Sequence, residues 1–389
     1  MPQKPLTDDQ CREVVALVEE CGRAEAAKRL GVALNTVSSR LRVAAHRLGL
    51  SPQLAPAENP AGFSLSKSTI QLDAEGNVTQ EWRRVAPTEE DLRALVETLK
   101  ADTPPAPRVK LPKLRKSDTL GLLVLTDLHV GKYGWGDEVG VNYDSDTAYA
   151  LGVAAVEDLL PTIADAGEVV LLVNGDHWHA DNRSGTTELS GNILDMDGRY
   201  QRNLRIGIQV LVQAVEMLLK GGRTVRLVIV PGNHDHHTCI AAAEIMAHHY
   251  RQQKRVTVDT TAGVRKAIIF GQCLIAAAHG HGVKPDKWAS LIPVDPVTGP
   301  HWSGCAFRYL FLGHIHSRRS FAPIQIAEST GLHVEYLPSL CGPDAWHYEK
   351  GFIGAGRSMD ALLFHRDYGL QARATRDVAQ IARRAGIQL

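Results

Sequence analysis

The sequence predicts an α/β domain preceded by a small helical domain of the helix-turn-helix type. Between residues 119 and about 370, short apolar runs rich in Val, Ile and Leu alternate with stretches of helical periodicity. This is the pattern of an α/β domain with buried strands. The first 50 residues show helical periodicity alone, and His46 is the only one of the 17 histidines that precedes residue 118. The two parts of the chain therefore differ in fold and in chemistry.

Composition indicates an ordinary globular protein. The chain has 389 residues, 44% of them hydrophobic, and its 43 basic and 43 acidic residues give a formal net charge of 0. At roughly 150 residues per domain, this length predicts two or three domains. Zero net charge argues against coating nucleic acid or membrane by bulk electrostatics, but it allows a local basic patch.

The sequence also bears on the compartment. It has no apolar stretch near the roughly 18–20 residues that span a bilayer, and its first residues lack a signal-peptide apolar region. The six cysteines are scattered without a C-x-x-C pair, which is typical of reduced thiols. We therefore expect a cytoplasmic protein without a membrane partner, in the host cytoplasm if the chain is phage-encoded.

The N-terminal segment has the layout of a helix-turn-helix. Apolar residues recur at helical spacing from residue 8, the pattern stops at Gly22, and a short second helix breaks at Gly31. Asn35 is a good N-cap for a last helix that runs to about Leu48. A helix, a tight turn and a second helix in this order are typical of a DNA-binding motif.

Charge in this segment favours contact with DNA. Residues 28–50 contain five basic residues and no acidic one, and short polar side chains lie at the start of the last helix, where base edges are usually met. The alternative is a small helical bundle that packs on a partner or on another domain. The residues predicted to contact DNA are Asn35, Thr36, Ser39, Arg40, Arg42 and Arg47.

Residues 51–118 are predicted to connect the two domains. Three prolines between residues 52 and 60 indicate a linker, the alternation around residues 75–77 predicts a β-hairpin, and Thr88 can cap a helix. Residues 101–118 form a second linker with four prolines and five basic residues, which either lie along phosphate or are simply solvated. The predicted domains are 1–50 (helix-turn-helix), 51–118 (linker with hairpin and helix), 119–370 (α/β) and 371–389 (C-terminal tail or helix).

Side chains of the metal-ligand type follow five predicted strands of the α/β domain. Because ligands in open α/β sheets gather at the carboxyl ends of strands, we expect these side chains to share one pocket. A lone histidine or aspartate at a strand end is usually structural, but five such motifs in order favour a common site. In chain order they are D-L-H at 127–129, G-D at 175–176, G-N-H-D at 232–235, H-G-H at 279–281 and G-H-I-H at 313–316.

This set of donors has a specific chemistry. Carboxylate, amide and imidazole donors without thiolate suit Mn²⁺, Fe, Zn²⁺ or Ni²⁺ rather than Ca²⁺ or a structural zinc site. Seven ligands are too many for one transition metal, whereas two ions that share a carboxylate account for the number. The glycines before Asp176, Asn233 and His314 allow sharp turns and a close approach to the ions.

The five motifs, in this order and strand context, resemble the signature of the calcineurin-like metallophosphoesterases over roughly residues 119–365. The resemblance implies a four-layer α/β/β/α sandwich with a dinuclear metal centre at one end. It also implies phosphoester hydrolysis without a covalent enzyme intermediate. The whole chain, including DLHVGK, LDMDGRY and PDAWHYEKGF, is further similar to phage and prophage members of the family.

The resemblance implies a role for each residue. Mn²⁺ is the preferred ion, with Fe, Zn²⁺ and Ni²⁺ as alternatives. His234 would face the scissile phosphate and protonate the leaving oxygen, and His179 and Asp235 complete the predicted catalytic set. Many members carry aspartate where His179 stands, and the DNA-repair exonuclease branch often carries histidine there. The implied ligands are Asp127, His129 and His316 for the first metal, Asn233, His279 and His314 for the second, and Asp176 as the bridge.

Several further residues near the motifs are candidates for the functional site, although most of them could equally be solvent-exposed or part of the core. Arg183 could clamp phosphate, and His236 and His237 either contact phosphate or lie in a solvated loop. His281 is predicted to support the ligands rather than to bind metal. Aromatic side chains near the site could stack on bases, although aromatics more often belong to a core. These aromatics are Trp178, Trp346 and Tyr348.

These observations favour a metal-dependent DNA nuclease delivered by its helix-turn-helix, with DNA as the partner. One alternative keeps the enzyme and changes the substrate to a phosphoprotein or a small nucleotide. Another is a non-catalytic DNA-binding or assembly protein, which the seven intact ligand positions disfavour. The sequence leaves the oligomeric state open.

Overall fold

The chain divides into two units, Met1–Thr88 and Glu89–Leu389. The computed structural model describes residues 7–32, 36–37, 40–41, 44, 63–72, 78–87, 93, 97, 105–107, 110–187, 191–316, 319–320, 331–352 and 354–389. All six cysteines are free thiols. Within the described residues, no helix is long and apolar enough to cross a membrane.

The first unit contains a kinked helix and a hairpin. Helix α1 (Asp8–Arg29) begins at a capping box made by Thr7 and Gln10, and Gly22 interrupts it with φ 75° and ψ 165°. This interruption lies where the sequence pattern predicts one. Strands β1 (Phe63–Leu72) and β2 (Val78–Pro87) pair antiparallel on either side of the predicted turn. Of the predicted last helix, residues 36, 37, 40, 41 and 44 are described, and they are helical.

The second unit is built on two sheets. Its helices are α2 (Gly136–Val139), α3 (Ser145–Leu159), α4 (Tyr200–Lys220), α5 (His236–His249), α6 (Trp288–Leu291), α7 (Gly299–Trp302), α8 (Ala345–Glu349) and α9 (Val378–Ala385). Its strands are β3 (Thr119–Leu125), β4 (Glu168–Asn174), β5 (Thr224–Val230), β6 (Val256–Asp259), β7 (Arg265–Phe270), β8 (Cys273–Ala278), β9 (Phe307–Leu312), β10 (Arg319–Ser320), β11 (His333–Tyr336), β12 (Ser358–His365) and β13 (Gly369–Asp377). The six predicted strands are all present.

Strand order places the predicted ligand motifs at the same end of both sheets. The first sheet has the order β13-β12-β3-β4-β5-β6, and its strands β3 to β6 run parallel. The second has the order β10-β11-β9-β8-β7, and β8, β9 and β11 run parallel. The carboxyl ends of β3, β4 and β5 therefore lie in one sheet, and those of β8 and β9 lie in the other.

Alternating side chains join the layers. On β3, Leu122 and Val124 pack between the two sheets, whereas Leu123 and Leu125 face the helices α3, α4 and α5. A third cluster, around Trp288, covers the outer face of the second sheet with short helical turns. The order of layers is therefore helices, sheet, sheet and short helices, which is consistent with the order that the resemblance implied over roughly residues 119–365.

The C-terminal segment continues this unit. Strand β13 runs through residue 370, where the sequence placed a boundary, and pairs with β12 along its length. Helix α9 then buries Val378, Ile381 and Ala382 in the same core as α3 and α4. Residues 371–389 are thus packed structure, with the terminal helix that the sequence allowed.

A buried ion cluster links the two sheets. Arg373 on β13 donates two hydrogen bonds of 2.8 Å to Glu335 on β11, and it also pairs with Asp360 on β12. We expect Arg373→Met to destabilise the fold by about 3–5 kcal/mol, because two buried carboxylates lose the arginine that pairs with both of them. Thermal or denaturant unfolding measures this change.

The matched control is Arg366→Met, which removes the exposed pair between Arg366 and Asp118. Its cost should stay below about 1 kcal/mol. Equal, small effects of the two substitutions would show that the cluster does not hold the sheets together.

Candidate metal centre

The predicted ligands converge at the carboxyl ends of β3, β4, β5, β8 and β9. The Nε2 atom of His279 lies 2.9 Å from Asp176 Oδ2 and 3.9 Å from Asp127 Oδ1. The Nε2 atom of His316 lies 3.2 Å from Asp127 Oδ1 and 3.1 Å from His129 Nε2. Donor atoms of Asp127, His129 and Asp176 lie within 4.8 Å of one another, as do those of Asp176, His279 and His314. The carboxylate of Asp176 thus belongs to both groups, as a bridging ligand must.

Backbone strain is confined to these ligands. Within the described residues, every non-glycine residue with positive φ is a predicted ligand. Such conformations are uncommon outside glycine, and they persist only where the surrounding structure enforces them. Five separate residues of one cluster carry this strain, which points to a functional site. The five are Asp127 (φ 50°), His129 (49°), Asp176 (49°), His314 (73°) and His316 (49°).

Three glycines press the backbone against the ligands. A Cβ on Gly175 would lie 2.3 Å from His279 Nδ1, one on Gly232 would lie 2.0 Å from Asp176 Oδ1, and one on Gly313 would lie 2.6 Å from Asp127 Oδ2. These glycines leave room for the ligand side chains, and the close approach of the chain to the ions that was predicted from them stays a prediction.

The donor atoms fit a pair of divalent ions. His279 donates through Nδ1–H to the carbonyl of Asn174 at 2.9 Å, which leaves the Nε2 lone pair for a cation. The Oδ1 of Asn233 is buried without a hydrogen-bond partner within the described residues, and the His279 Nε2 has only the carboxylates of Asp176 and Asp127 near it. Buried polar atoms are rarely left unpaired, so an unpaired acceptor in a carboxylate–imidazole cluster is compatible with an ion site.

Protonation supports the same interpretation. Burial alone would raise the pKa of Asp176 and of Asp127, but the adjacent histidines hold both pKa values below the usual range. Burial lowers the pKa of His279, yet the two carboxylates outweigh it and raise that pKa to about 9. The two carboxylates are therefore anionic acceptors, and a bound divalent ion would displace the proton that they hold on His279.

The catalytic candidate His234 lines the pocket beside these ligands. Its Nδ1–H donates to the backbone carbonyl of His179 at 2.9 Å, and the two rings stack at 5.3 Å. The His179 side chain turns instead to His129, with 3.0 Å between their Nδ1 atoms. The main chain of His179 thus contacts His234 and its ring contacts His129, and its predicted catalytic role stays a prediction.

Asp235, which was predicted to belong to the catalytic set, lies in a structural position, and its catalytic role stays a prediction. It is fully buried, and its carboxylate accepts backbone N–H groups of Asp176, Trp178 and Gly232 at 3.0–3.1 Å. With its acceptors used in this way, it holds the loops after β4 and β5 together. Burial, aided by the charge of Asp176, raises its pKa to about 7.

The remaining candidates lie around the centre. The His281 ring lies 5.5 Å from His279 and 6.1 Å from His314, which is the supporting position predicted for it. Arg183 is exposed and His236 and His237 begin helix α5, and none of the three lines the pocket. Trp178 is 1% exposed and donates to the Asn203 carbonyl, so it belongs to the core and cannot stack on a base.

The pocket over the centre is lined by Trp346, which the sequence had offered as a candidate, and by three residues that it had not indicated. It encloses about 880 Å³ and is lined on one side by Asp344, Trp346, His347 and Phe352. The sequence signal available for His347 was its place in the PDAWHYEKGF stretch, which contributes to the resemblance. Tyr348 is 52% exposed but does not line the pocket.

The predicted DNA contacts fall mostly outside the described residues. Thr36 and Arg40 are helical and partly exposed. Asn35, Ser39, Arg42 and Arg47 lie outside the described part of the chain. The helix-turn-helix stays a prediction.

No family model matches the sequence, and no curated protein matches it. Two solved structures to which the chain is similar are a 5'-nucleotidase from Candida albicans SC5314 and a putative 5'-nucleotidase from Staphylococcus aureus in complex with alpha-ketoglutarate. The first is 11% identical, with 72% of this chain and 55% of that chain covered and a TM-score of 0.34. The second is 10% identical, with 67% and 54% covered and a TM-score of 0.31. The chain spans just over half the length of both, and functional inference rests on the site itself.

Gly175 provides a test of the metal centre. Gly175→Ala should weaken binding of an ion at His279 by at least roughly 10-fold, because the new methyl group displaces that imidazole. Metal content after gel filtration, measured by elemental analysis, gives the result.

The control is Gly140→Ala, since Gly140 has nearly the same φ (84° against 85°) and no atom within 4 Å of its Cβ position. It should keep the wild-type metal content. If both variants load metal equally, the Gly175 contact does not support an ion site.

Proposed function

We propose that this protein is a metal-dependent phosphoesterase that hydrolyses phosphodiester bonds, with DNA as its substrate. The observation that carries the proposal is that, among the described residues other than glycine, positive φ occurs at five residues of one carboxylate–imidazole cluster. Strain is maintained at sites where the geometry of the side chains is needed for function. The phage and DNA-repair branches of the resemblance remain predictions.

Bound at this centre, two divalent ions would activate a water molecule and neutralise charge on the phosphoryl oxygens. Asp127, His129 and His316 would hold one ion, Asn233, His279 and His314 the other, and Asp176 would bridge them. Because His234 is fixed through Nδ1 to the His179 carbonyl, its Nε2 is the nitrogen left for the pocket. From there it can give a proton to the leaving oxygen.

The rim of the pocket favours a nucleic acid over a phosphopeptide. Trp346 and Phe352 line it, are 52% and 61% exposed, and have rings 5.5 Å apart. Ile193, 88% exposed, lines it as well. A flat apolar group beside a phosphate describes a nucleotide unit, for which exposed aromatics provide stacking surfaces. A free nucleotide fits the same rim and is the second candidate substrate.

His234 gives the sharpest test of the chemistry. His234→Asn should lower kcat on bis-p-nitrophenyl phosphate by roughly 10²–10⁴-fold and leave metal content unchanged, because this residue acts on protons. The control is Asp176→Asn, which should lose metal as well as activity. Near wild-type turnover of the His234 variant would overturn its role as the acid.

The substrate is tested with the full chain and Mn²⁺ on linear, nicked and single-stranded DNA, beside bis-p-nitrophenyl phosphate, a mononucleotide and a phosphopeptide. We expect DNA to be cleaved, with Trp346→Ala impairing DNA cleavage more than cleavage of the small diester. Cleavage of the small diester alone, together with no salt-dependent binding of DNA by the full chain, would exclude the nuclease.

A further inference from the structure

Two stretches distant in sequence meet beside the metal centre through a buried ion pair. Lys132 is fully buried, and its Nζ lies 3.1 Å from Asp344 Oδ2. Lys132 comes three residues after the ligand His129, whereas Asp344 precedes helix α8 on the pocket wall. The proposed chemistry assigns no role to this pair.

Asp344 fixes the orientation of His347. Its Oδ1 accepts the backbone N–H of His347 at 2.9 Å, and the same oxygen lies 2.6 Å from the His347 Nδ1. The short contact with a carboxylate that is also paired to lysine places the proton on Nδ1. The Nε2 of His347 has no hydrogen-bond partner within the described residues, and the side chain lines the pocket.

His347 and His234 pack against different predicted ligands of the centre. Its ring stacks on that of His316 at 5.3 Å and 15°, whereas the His234 ring packs on His129 at 4.9 Å. His129 and His316 are themselves 5.0 Å apart between ring centroids. An anion held between these ligands would therefore meet two further imidazoles, each packed against a different ligand.

Stability alone is a weak explanation for the arrangement. A buried lysine–carboxylate pair pays a desolvation cost that its attraction often fails to exceed. A cap for the five-residue helix α8 requires only the Asp344 oxygen. In addition to capping the helix, the lysine and the second hydrogen bond fix the tautomer and the direction of the His347 imidazole.

We propose that His347 is a substrate-contacting residue that hydrogen bonds through Nε2 to the phosphate held at the centre, with Lys132 and Asp344 as its positioning residues. This inference rests on the proposed phosphoesterase function. It adds to that function a contact contributed by the loop before β12, outside the five strand-end motifs.

The test compares His347→Ala, His347→Gln and Asp344→Asn with the wild type, all loaded with Mn²⁺. The first readout is the affinity for inorganic phosphate by calorimetry, and the second is kcat/KM on bis-p-nitrophenyl phosphate. For His347→Ala, loss of a hydrogen bond to a charged group predicts phosphate binding and kcat/KM each weaker by roughly 10- to 100-fold, with metal content retained. Gln, which keeps a donor, should restore part of the phosphate affinity, and Asp344→Asn should show a smaller loss.

The control is Glu349→Ala, an exposed position on the same short helix, which should leave both readouts unchanged. Unchanged phosphate affinity and kcat/KM in His347→Ala would overturn the inference alone. Loss of metal in that variant would also overturn it, because His347 would then be part of the ion site. A wild type that neither binds phosphate nor cleaves the diester would instead defeat the proposed function, and this inference with it.

Discussion

Two buried carboxylates, which within the described residues are paired with histidines rather than with lysine or arginine, govern this structure. Asp127 and Asp176 are at most 1% exposed, and within the described residues neither forms an ion pair with lysine or arginine. Burying such charges costs several kcal/mol unless a cation or hydrogen bonds compensate. Histidines surround both carboxylates and backbone N–H groups reach them. In the proposed function, divalent cations would take over from the histidine protons as the positive charge beside these carboxylates.

The two-sheet architecture is what brings these groups together. Five strands from two sheets end at one edge, so each loop has only a few residues in which to turn its ligand toward the centre. Positive φ at the ligands and glycines in contact with them are the consequences of that short distance. Asp235, placed behind the ligands, ties two of these loops by accepting three backbone N–H groups. Strain in the loops is thus balanced by hydrogen bonds beneath them.

The sequence could predict what depends on local pattern and chain order. Apolar runs predicted the strands, and the Asp, Asn and His residues after five of them predicted a cluster of side chains, because the carboxyl ends of parallel strands share an edge. It could not place what depends on long-range geometry. His179 contacts its neighbours through its main chain and ring, Asp235 faces inward, and Trp178 fills the core. In sequence, each of them lies within three residues of a predicted ligand. His347 is 31 residues from the nearest predicted ligand, and only the fold brings it to His316.

The proposed function depends most on the sharing of two metal ions by the Asp176 carboxylate. Electron paramagnetic resonance of the protein titrated with Mn²⁺ reports it directly, because two ions that share a carboxylate are magnetically coupled. The structure predicts that the second equivalent of Mn²⁺ converts the isolated-ion spectrum into that of an exchange-coupled pair. Saturation at one ion, or two ions with uncoupled spectra, would contradict a dinuclear centre at these strand ends.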